Sequence, residues 1–470
     1  MKSSKSLLSR LPTVNEILEN PRLKAMVERV NQMEVTAGVR QYVERARQEL
    51  SRRSLDMPIP SISELTERAA RFILRNRSAE PVRVINATGD YWPVGMIGPP
   101  LAEEAIIAAT DWMQHYHDAD TSDVEESLAD ATGGEGALAC NTPSAALWLA
   151  MAGIGQSKGL VVARGELGTL DDGIRITELA VALGMRIVEV GAVDRVTIED
   201  YRQALATPGM CLLRVESLRQ SNWPADRRPA LPQLTAVAKS QQGVLLHYLH
   251  QAPLLPLDDD SADAMTVTAS LRQGADLTVV RGDGQIGGPS CGLVVGKRRL
   301  IDAMRHHPLG PLVRLHPSMV AALAVTLTLW KVAERQAGAL PILALRSTPL
   351  ENLRLRAERI TAQLEPLAPV ASAKAVALEA GPTPWGVREL ASHGVQIALT
   401  PEWTTRGRQG LAEGRPRLEG LWVGKELLLD LRTVFPGENM EIVSLLEGLA
   451  PEPPAADSEA PIEAETKETA

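Results

Sequence analysis

The chain has 470 residues, 44% of them hydrophobic and 23% charged, which allows two or three domains and suits a soluble globular protein. Aromatic residues make up only 3%, so aliphatic side chains must build the core. No apolar run reaches the length of a bilayer span. The first ten residues are partly basic but have no apolar signal core, so export is not expected and the cytoplasm is.

Net charge is −9, unevenly spread. Residues 1–80 hold 15 Lys/Arg against 10 Asp/Glu, and residues 451–470 hold one Lys against six Asp/Glu. A basic block on an acidic body hints at an anionic partner such as RNA, but a solvated arginine-rich helical surface is the commoner cause of such a block. Cys140, Cys211 and Cys291 stand far apart with no CxxC spacing, which argues against disulfides and structural zinc and for buried thiols.

In chain order, residues 1–80 read as a helical domain. Thr13–Glu16 and Ser61–Glu64 each carry the spacing of a capping box. Leu65, Ala69, Phe72 and Ile73 follow the second at helical intervals. Between the two groups, Met57-Pro58-Ile59-Pro60 discourages helix. From about residue 81 to 330, apolar runs alternate with helical stretches. The runs are Gly159–Ala163, Arg186–Val190, Cys211–Val215, Val244–Leu249, Leu277–Val280 and Gly292–Val295. Continuous apolar strands between helices predict a mostly parallel sheet covered on both faces. A long helix is expected from Pro317 through Trp330 and another over Leu350–Leu364. Residues 331–449 read as a smaller α+β domain, with a strand at Leu427–Leu431. The acidic tail, 450–470, cannot bury enough apolar surface to order itself.

Two stretches carry candidate chemistry. Gly133-Gly134-Glu135-Gly136 precedes Asn141-Thr142-Pro143-Ser144, where Thr142 suits an N-cap and Pro143 the first helical position. Such a helix start offers free N–H groups to an anion. Arg281-Gly282-Asp283-Gly284-Gln285-Ile286-Gly287-Gly288 follows a strand, and its glycines imply positive φ or close backbone approach; a plain β-turn is the simpler reading. His115, His117, Asp118 and Asp120 form one candidate metal group. His247, His250, Asp258 and Asp260 form another. Neither has the spacing of a known zinc pattern, and on a helix His115 and His117 would point apart. No metal site is therefore expected. The chain also has no GxSxG elbow, P-loop or GxGxxG before a helix, so hydrolase and nucleotide chemistry lack support.

Jointly, several segments resemble the bacterial L-seryl-tRNA(Sec) selenium transferases. They are Leu11–Leu18, Ile85-Asn86-Ala87-Thr88-Gly89, Arg164-Gly165-Glu166-Leu167, Arg175-Ile176, Gly282-Asp283 with Gly287-Gly288-Pro289, Leu345–Leu350 and Leu428–Val434. The resemblance runs from about residue 11 to 448. It implies an aspartate-aminotransferase-like pyridoxal-phosphate fold, a helical N-terminal domain used on tRNA, and a dimer or ring of dimers.

The departures matter as much. The family's Ser-Gly-Asp-Lys, whose lysine forms the Schiff base, falls on Arg281, Gly282, Asp283 and Gly284, and glycine has no amine. The next lysine, Lys297, follows the strand. The family's aspartate that pairs with the pyridinium nitrogen falls on His247, and a neutral histidine keeps that nitrogen protonated poorly. Family cations fall on Gly98, Pro311 and Pro317, and a basic stretch is replaced by Ala119–Asp123. Arg314 remains. The expectation is a catalytically degenerate homologue without covalent pyridoxal phosphate. Its remaining anion pocket would draw on Asn141, Thr142, Ser144, Arg281 and Asp283, with Arg314 on the substrate side. An active transferase or lyase with an altered site, and an RNA-binding protein acting through its N-terminal helices, are the alternatives.

Overall fold

In the computed structural model the chain forms two units, Met1–Arg83 and Val84–Ala470. The structure describes residues 13–21, 23–24, 27, 32, 35–40, 42–43, 65–70, 73 and 81–449, except 94–95, 97, 118–119, 121, 155–158, 171, 206–207, 217–226, 251, 257–264, 334–337 and 380–390.

In the first unit, helix α1 (Val14–Leu18) starts on the capping box expected at Thr13. The Glu16 amide donates to Thr13 Oγ1 at 3.2 Å, and the Thr13 amide donates to Glu16 Oε2 at 2.7 Å. Ile17 joins Leu23, Val35, Val39, Val43, Ala69, Ala70 and Ile73 in a small aliphatic core. The Ser61–Glu64 box, the Pro58 break, Phe72 and the acidic tail lie outside the described residues.

The second unit opens with β1 (Val84–Ala87), then helix α2 (Glu103–Gln114), α3 (Ser122–Thr132), β2 (Gly136–Cys140) and α4 (Pro143–Gly153). Strands β3 (Leu160–Ala163), β4 (Ile187–Val190), β5 (Cys211–Glu216) and β6 (Val244–Leu249) follow, then helix α5 (Val267–Arg272), β7 (Leu277–Arg281) and β8 (Gly292–Gly296). Beyond α6 (Pro317–Ala333) and α7 (Leu350–Leu364) come β9 (Val370–Glu379), β10 (Ala391–Leu399), β11 (Arg417–Val423) and β12 (Glu426–Asp430).

Strands β2–β8 make a seven-stranded sheet in the order β2-β8-β7-β6-β5-β3-β4, parallel except for β8. All six apolar runs read from the sequence are strands of this sheet. Their continuous hydrophobicity has a direct cause, because β2, β3 and β8 are buried along their whole length by helices on both faces. Strand β2 was not legible. Its sequence, Gly-Ala-Leu-Ala-Cys, is built from small residues of low strand propensity. The glycine run before it is a helix stop, not a phosphate loop: Gly133 has φ +76°, and the Gly134 amide donates back to the Ala129 carbonyl at 2.9 Å.

The second sheet has the order β1-β11-β12-β10-β9. Strand β1 pairs with β11, so residues 84–87 serve the smaller sheet before the chain enters the larger one. A buried polar joint holds this arrangement. Arg432 donates to the carbonyls of Arg346 and Thr348, at 3.2 and 2.7 Å, and to that of Ala391. Asp430 accepts from Ser392 Oγ and, at 2.8 Å, from the Arg432 amide. The Gly89 amide reaches Thr433 Oγ1 at 3.1 Å. Gly89 has φ +79°, and a Cβ there would meet Asp430 Oδ2 at 2.6 Å, so only glycine fits this turn. The family-like segments around residues 85–89, 345–350 and 428–434 therefore meet in a structural joint. No helix among the described residues is long and apolar enough to cross a membrane.

Candidate functional site

The parallel strands of the large sheet all point their C-terminal ends to one edge, where α/β sheets gather their functional loops. Strand register brings the sequence candidates together there. Arg281, at the end of β7, is opposite Gly292, and Gly292 is opposite Cys140 at the end of β2. Cys140 also bridges to Arg314. A Cβ at Gly292 would meet the Thr142 carbonyl at 2.3 Å, so its bare backbone lets the start of α4 sit against the sheet. Asn141, Thr142, Ser144, Arg281, Asp283 and Arg314 thus surround one stretch of edge.

Helix α4 starts as expected. The Ala145 amide donates to Thr142 Oγ1 at 3.0 Å and Pro143 occupies the first turn. Asn141 and Thr142 are exposed, whereas Ser144 is buried. The Asn141 amide is bonded to the Val313 carbonyl at 2.8 Å.

The loop after β7 closes on itself. Arg281 Nε donates to Asp283 Oδ1 at 2.9 Å and Arg281 Nη2 to Asp283 Oδ2 at 3.0 Å, a bidentate pair. Asp283 is 3% exposed, so this is an interior neutralisation. The Asp283 carbonyl accepts from Trp92 Nε1 at 3.1 Å. Gly98 packs against the same bond, and a Cβ there would meet the Asp283 carbonyl at 2.6 Å. The space beside residue 98 is therefore taken by Trp92 and the loop. Gly284 is buried, and its carbonyl accepts from the Gly287 amide at 3.0 Å. With Gly287 at φ +69°, the β-turn reading of this segment is the one observed. A Cβ at Gly282 would meet Cys291 Sγ at 2.3 Å.

His247 is not at this edge cluster. It lies mid-strand, paired in register with Arg214 and Thr278. Its ring is fully buried, with Nδ1 2.8 Å from Ser270 Oγ on α5, which is itself 2.7 Å from Thr278 Oγ1. His247 Nε2 lies 3.6 Å from Glu216 Oε1 at the end of β5. Glu216 belongs to a larger charged group that sequence reading missed. Arg214 Nη1 pairs with Glu166 Oε1 at 3.0 Å, both side chains 4% exposed, and Arg228 reaches Glu216 at 3.7 Å. Glu166 Oε2 also accepts from the Val215 amide at 3.0 Å. The available signal was a charge, Arg214, inside an apolar strand, because a buried charge demands a partner.

Burial pushes the Glu216 carboxyl up, but His247, Arg214 and Arg228 outweigh it and hold its pKa down at about 2. Burial raises the pKa of all three cysteines, and that of Cys140 to about 12 with help from Glu125, so they stay protonated thiols and poor nucleophiles. Lys297 pairs with Asp276, immediately before β7, whereas Gly284 follows its end. The five residues of β7 span roughly 16 Å, which puts Lys297 at the opposite edge of the sheet.

Of the two histidine–aspartate groups weighed in the sequence, only part lies among the described residues. Asp118, Asp258 and Asp260 lie outside the described residues. Asp120 is taken up as a cap, accepting from the Ser122 amide at 2.9 Å. His115 and His117 follow the end of α2, not its helical body, and their rings approach to 6.4 Å between centroids.

Residues 102–435 match the L-seryl-tRNA selenium transferase family, and residues 8–47 match the selenocysteine synthase N-terminal family. The chain belongs to the L-seryl-tRNA selenium transferase family. It is 30% identical to the L-seryl-tRNA(Sec) selenium transferase of Moorella thermoacetica, over 95% of this chain and 98% of that protein. It is also 30% identical to that of Rhizobium meliloti, over 76% of this chain and 78% of the relative. Among solved structures, D-glucosaminate-6-phosphate ammonia-lyase superposes with a TM-score of 0.59 at 18% identity, covering 79% of this chain and 96% of that one. The fold is thus the pyridoxal-phosphate transferase fold that the sequence segments implied.

The cationic environment of Glu216 yields a test. Folding lowers this pKa, so its stabilisation is complete above the ordinary value of 4.5 and is lost as pH falls toward about 2. Urea unfolding at about pH 7 and about pH 3 is expected to show a Glu216→Gln variant less stable than the parent at the higher pH, with the gap shrinking at the lower. A gap independent of pH would contradict the assignment.

Proposed function

We propose that this chain is a catalytically degenerate member of the selenium transferase family, which keeps the fold and an anion-accepting edge and acts by binding. The observation that carries this reading is Gly284, buried in a loop whose charges satisfy one another, at the position of the family's Schiff-base lysine.

A pyridoxal phosphate makes three demands, and the residues here answer one. Its phosphate suits the start of α4, where Asn141, Thr142 and Ser144 stand beside Arg314. Its aldehyde needs an amine, and Gly284 supplies none; Lys297 is engaged with Asp276 at the other end of β7. Its ring nitrogen needs an acidic partner, and the residue at that position, His247, faces Ser270 and Glu216 instead. Two of the donors of Arg281 are spent on Asp283, so this cation is turned to the loop's own carboxylate. The residues present therefore do not fit the cofactor as a covalently held group. The basic first 80 residues, 15 Lys/Arg against 10 Asp/Glu, support tRNA as the partner, and assembly into a dimer or ring of dimers belongs to the same reading.

Absorbance spectra of the purified protein with added pyridoxal phosphate, followed by borohydride reduction and peptide mapping, test the chemistry. The expected result is no aldimine band and no specific reduced adduct, with the band appearing in Gly284→Lys. A stoichiometric adduct on one lysine of the parent would revive the alternative of an active transferase or lyase with an altered site. For the partner, a gel-shift titration with tRNA at low salt is expected to show a complex that weakens steeply as salt rises; no shift at the lowest salt would sink the tRNA assignment.

A further inference from the structure

We propose that the exposed end of helix α2 is a binding site for a divalent transition-metal ion, held by Asp111, His115 and His117. One ligand atom from each of these residues lies within 4.8 Å of the others, and all three residues are exposed. Bonds of about 2.0–2.2 Å from one ion would draw such atoms together by small rotations of surface side chains. His115 Nδ1 already stands 3.3 Å from Asp111 Oδ1 and 3.1 Å from the Asp111 carbonyl.

The second histidine is also placed. Beyond Gln114 the backbone turns extended, with His115 at φ −129° and ψ 167°, so residue 117 is not forced to the far side of a helix. The His117 ring stacks on Trp112, with centroids 5.5 Å apart and planes 16° apart. Trp112 in turn meets the edge of His316 at 5.5 Å, and His316 Nδ1 is 2.8 Å from Ser318 Oγ. A packed stack of rings therefore orients one ligand, and the Asp111 carbonyl sits beside another.

The donor set names the class of ion. Two imidazoles and one carboxylate suit zinc, nickel or copper, whereas calcium and magnesium ask for oxygen alone. The site follows the C-terminal end of a twelve-residue helix, where the peptide dipole favours positive charge. Exposure lets the ion keep water as its remaining ligands, so no charge is buried.

The test uses the full chain, stripped with a chelator and titrated with zinc chloride by calorimetry. The expected result is one zinc per chain. His115→Ala and His117→Ala are each expected to weaken it at least about tenfold, the scale on which even outer-shell changes act. Asp111→Asn, which keeps the side-chain shape, is expected to weaken it too. Binding is expected to fall on acidification, because protons compete for the imidazoles. A copper titration adds an optical readout: quenching of tryptophan fluorescence is expected to be reduced in Trp112→Phe, while that variant still binds zinc. No zinc bound by the parent, or stoichiometry and affinity unchanged in the His115/His117 double alanine variant, would overturn the proposal.

Discussion

A charge carried to the C-terminal side of the seven-stranded sheet must be neutralised there, because the helices on both faces leave little water to do it. Arg281 meets Asp283 through two hydrogen bonds, and Arg214 meets Glu166 at 3.0 Å. Removing one member of such a buried pair typically costs about 3–5 kcal/mol, so each pair fixes its strand ends and loops as a unit. The Asp283 pairing also presents the carbonyl that Trp92 binds at 3.1 Å, and Gly98 must stay bare beside it. One ion pair thereby orders two loops of the candidate site.

The arrangement bears on chemistry because charges already paired within the fold are not free to receive a ligand. Here the cations and acids near the edge are largely committed to one another. What is still presented is the start of α4, with Asn141 and Thr142 exposed. On the reading proposed above, this edge holds an anion and transfers no group.

Much of the fold was legible in the sequence, for a physical reason. Strands buried on both faces need mostly apolar runs, and β3–β8 have them despite Glu189 in the partly buried β4, Arg214 in β5, His247 in β6 and Thr278 in β7. Helix α7 covers Leu350–Leu364 as read, and the Thr13–Glu16 box caps α1. The strands that escaped notice lack that pattern. Strand β2 is made of small residues, and β11 is only partly buried, with Glu419 and Trp422 within it. At the site, local signals gave the start of α4 and the turn after β7. They could not give the partnership of Glu216 with His247, because strand register, not sequence distance, brings residues 216 and 247 together. Asp111 and His115, by contrast, stand at i,i+4 across the end of one helix, a spacing the sequence does carry.

The loop carrying Gly284 is closed by its own charges and offers no amine to an aldehyde. A crystal structure of the protein grown with excess pyridoxal phosphate examines this most directly. The account predicts an intact Arg281–Asp283 pair and no density joining any lysine to the ring, whether or not a phosphate group rests at the start of α4. Density continuous from a lysine side chain into the ring, with the Arg281–Asp283 pair opened to admit it, would contradict it.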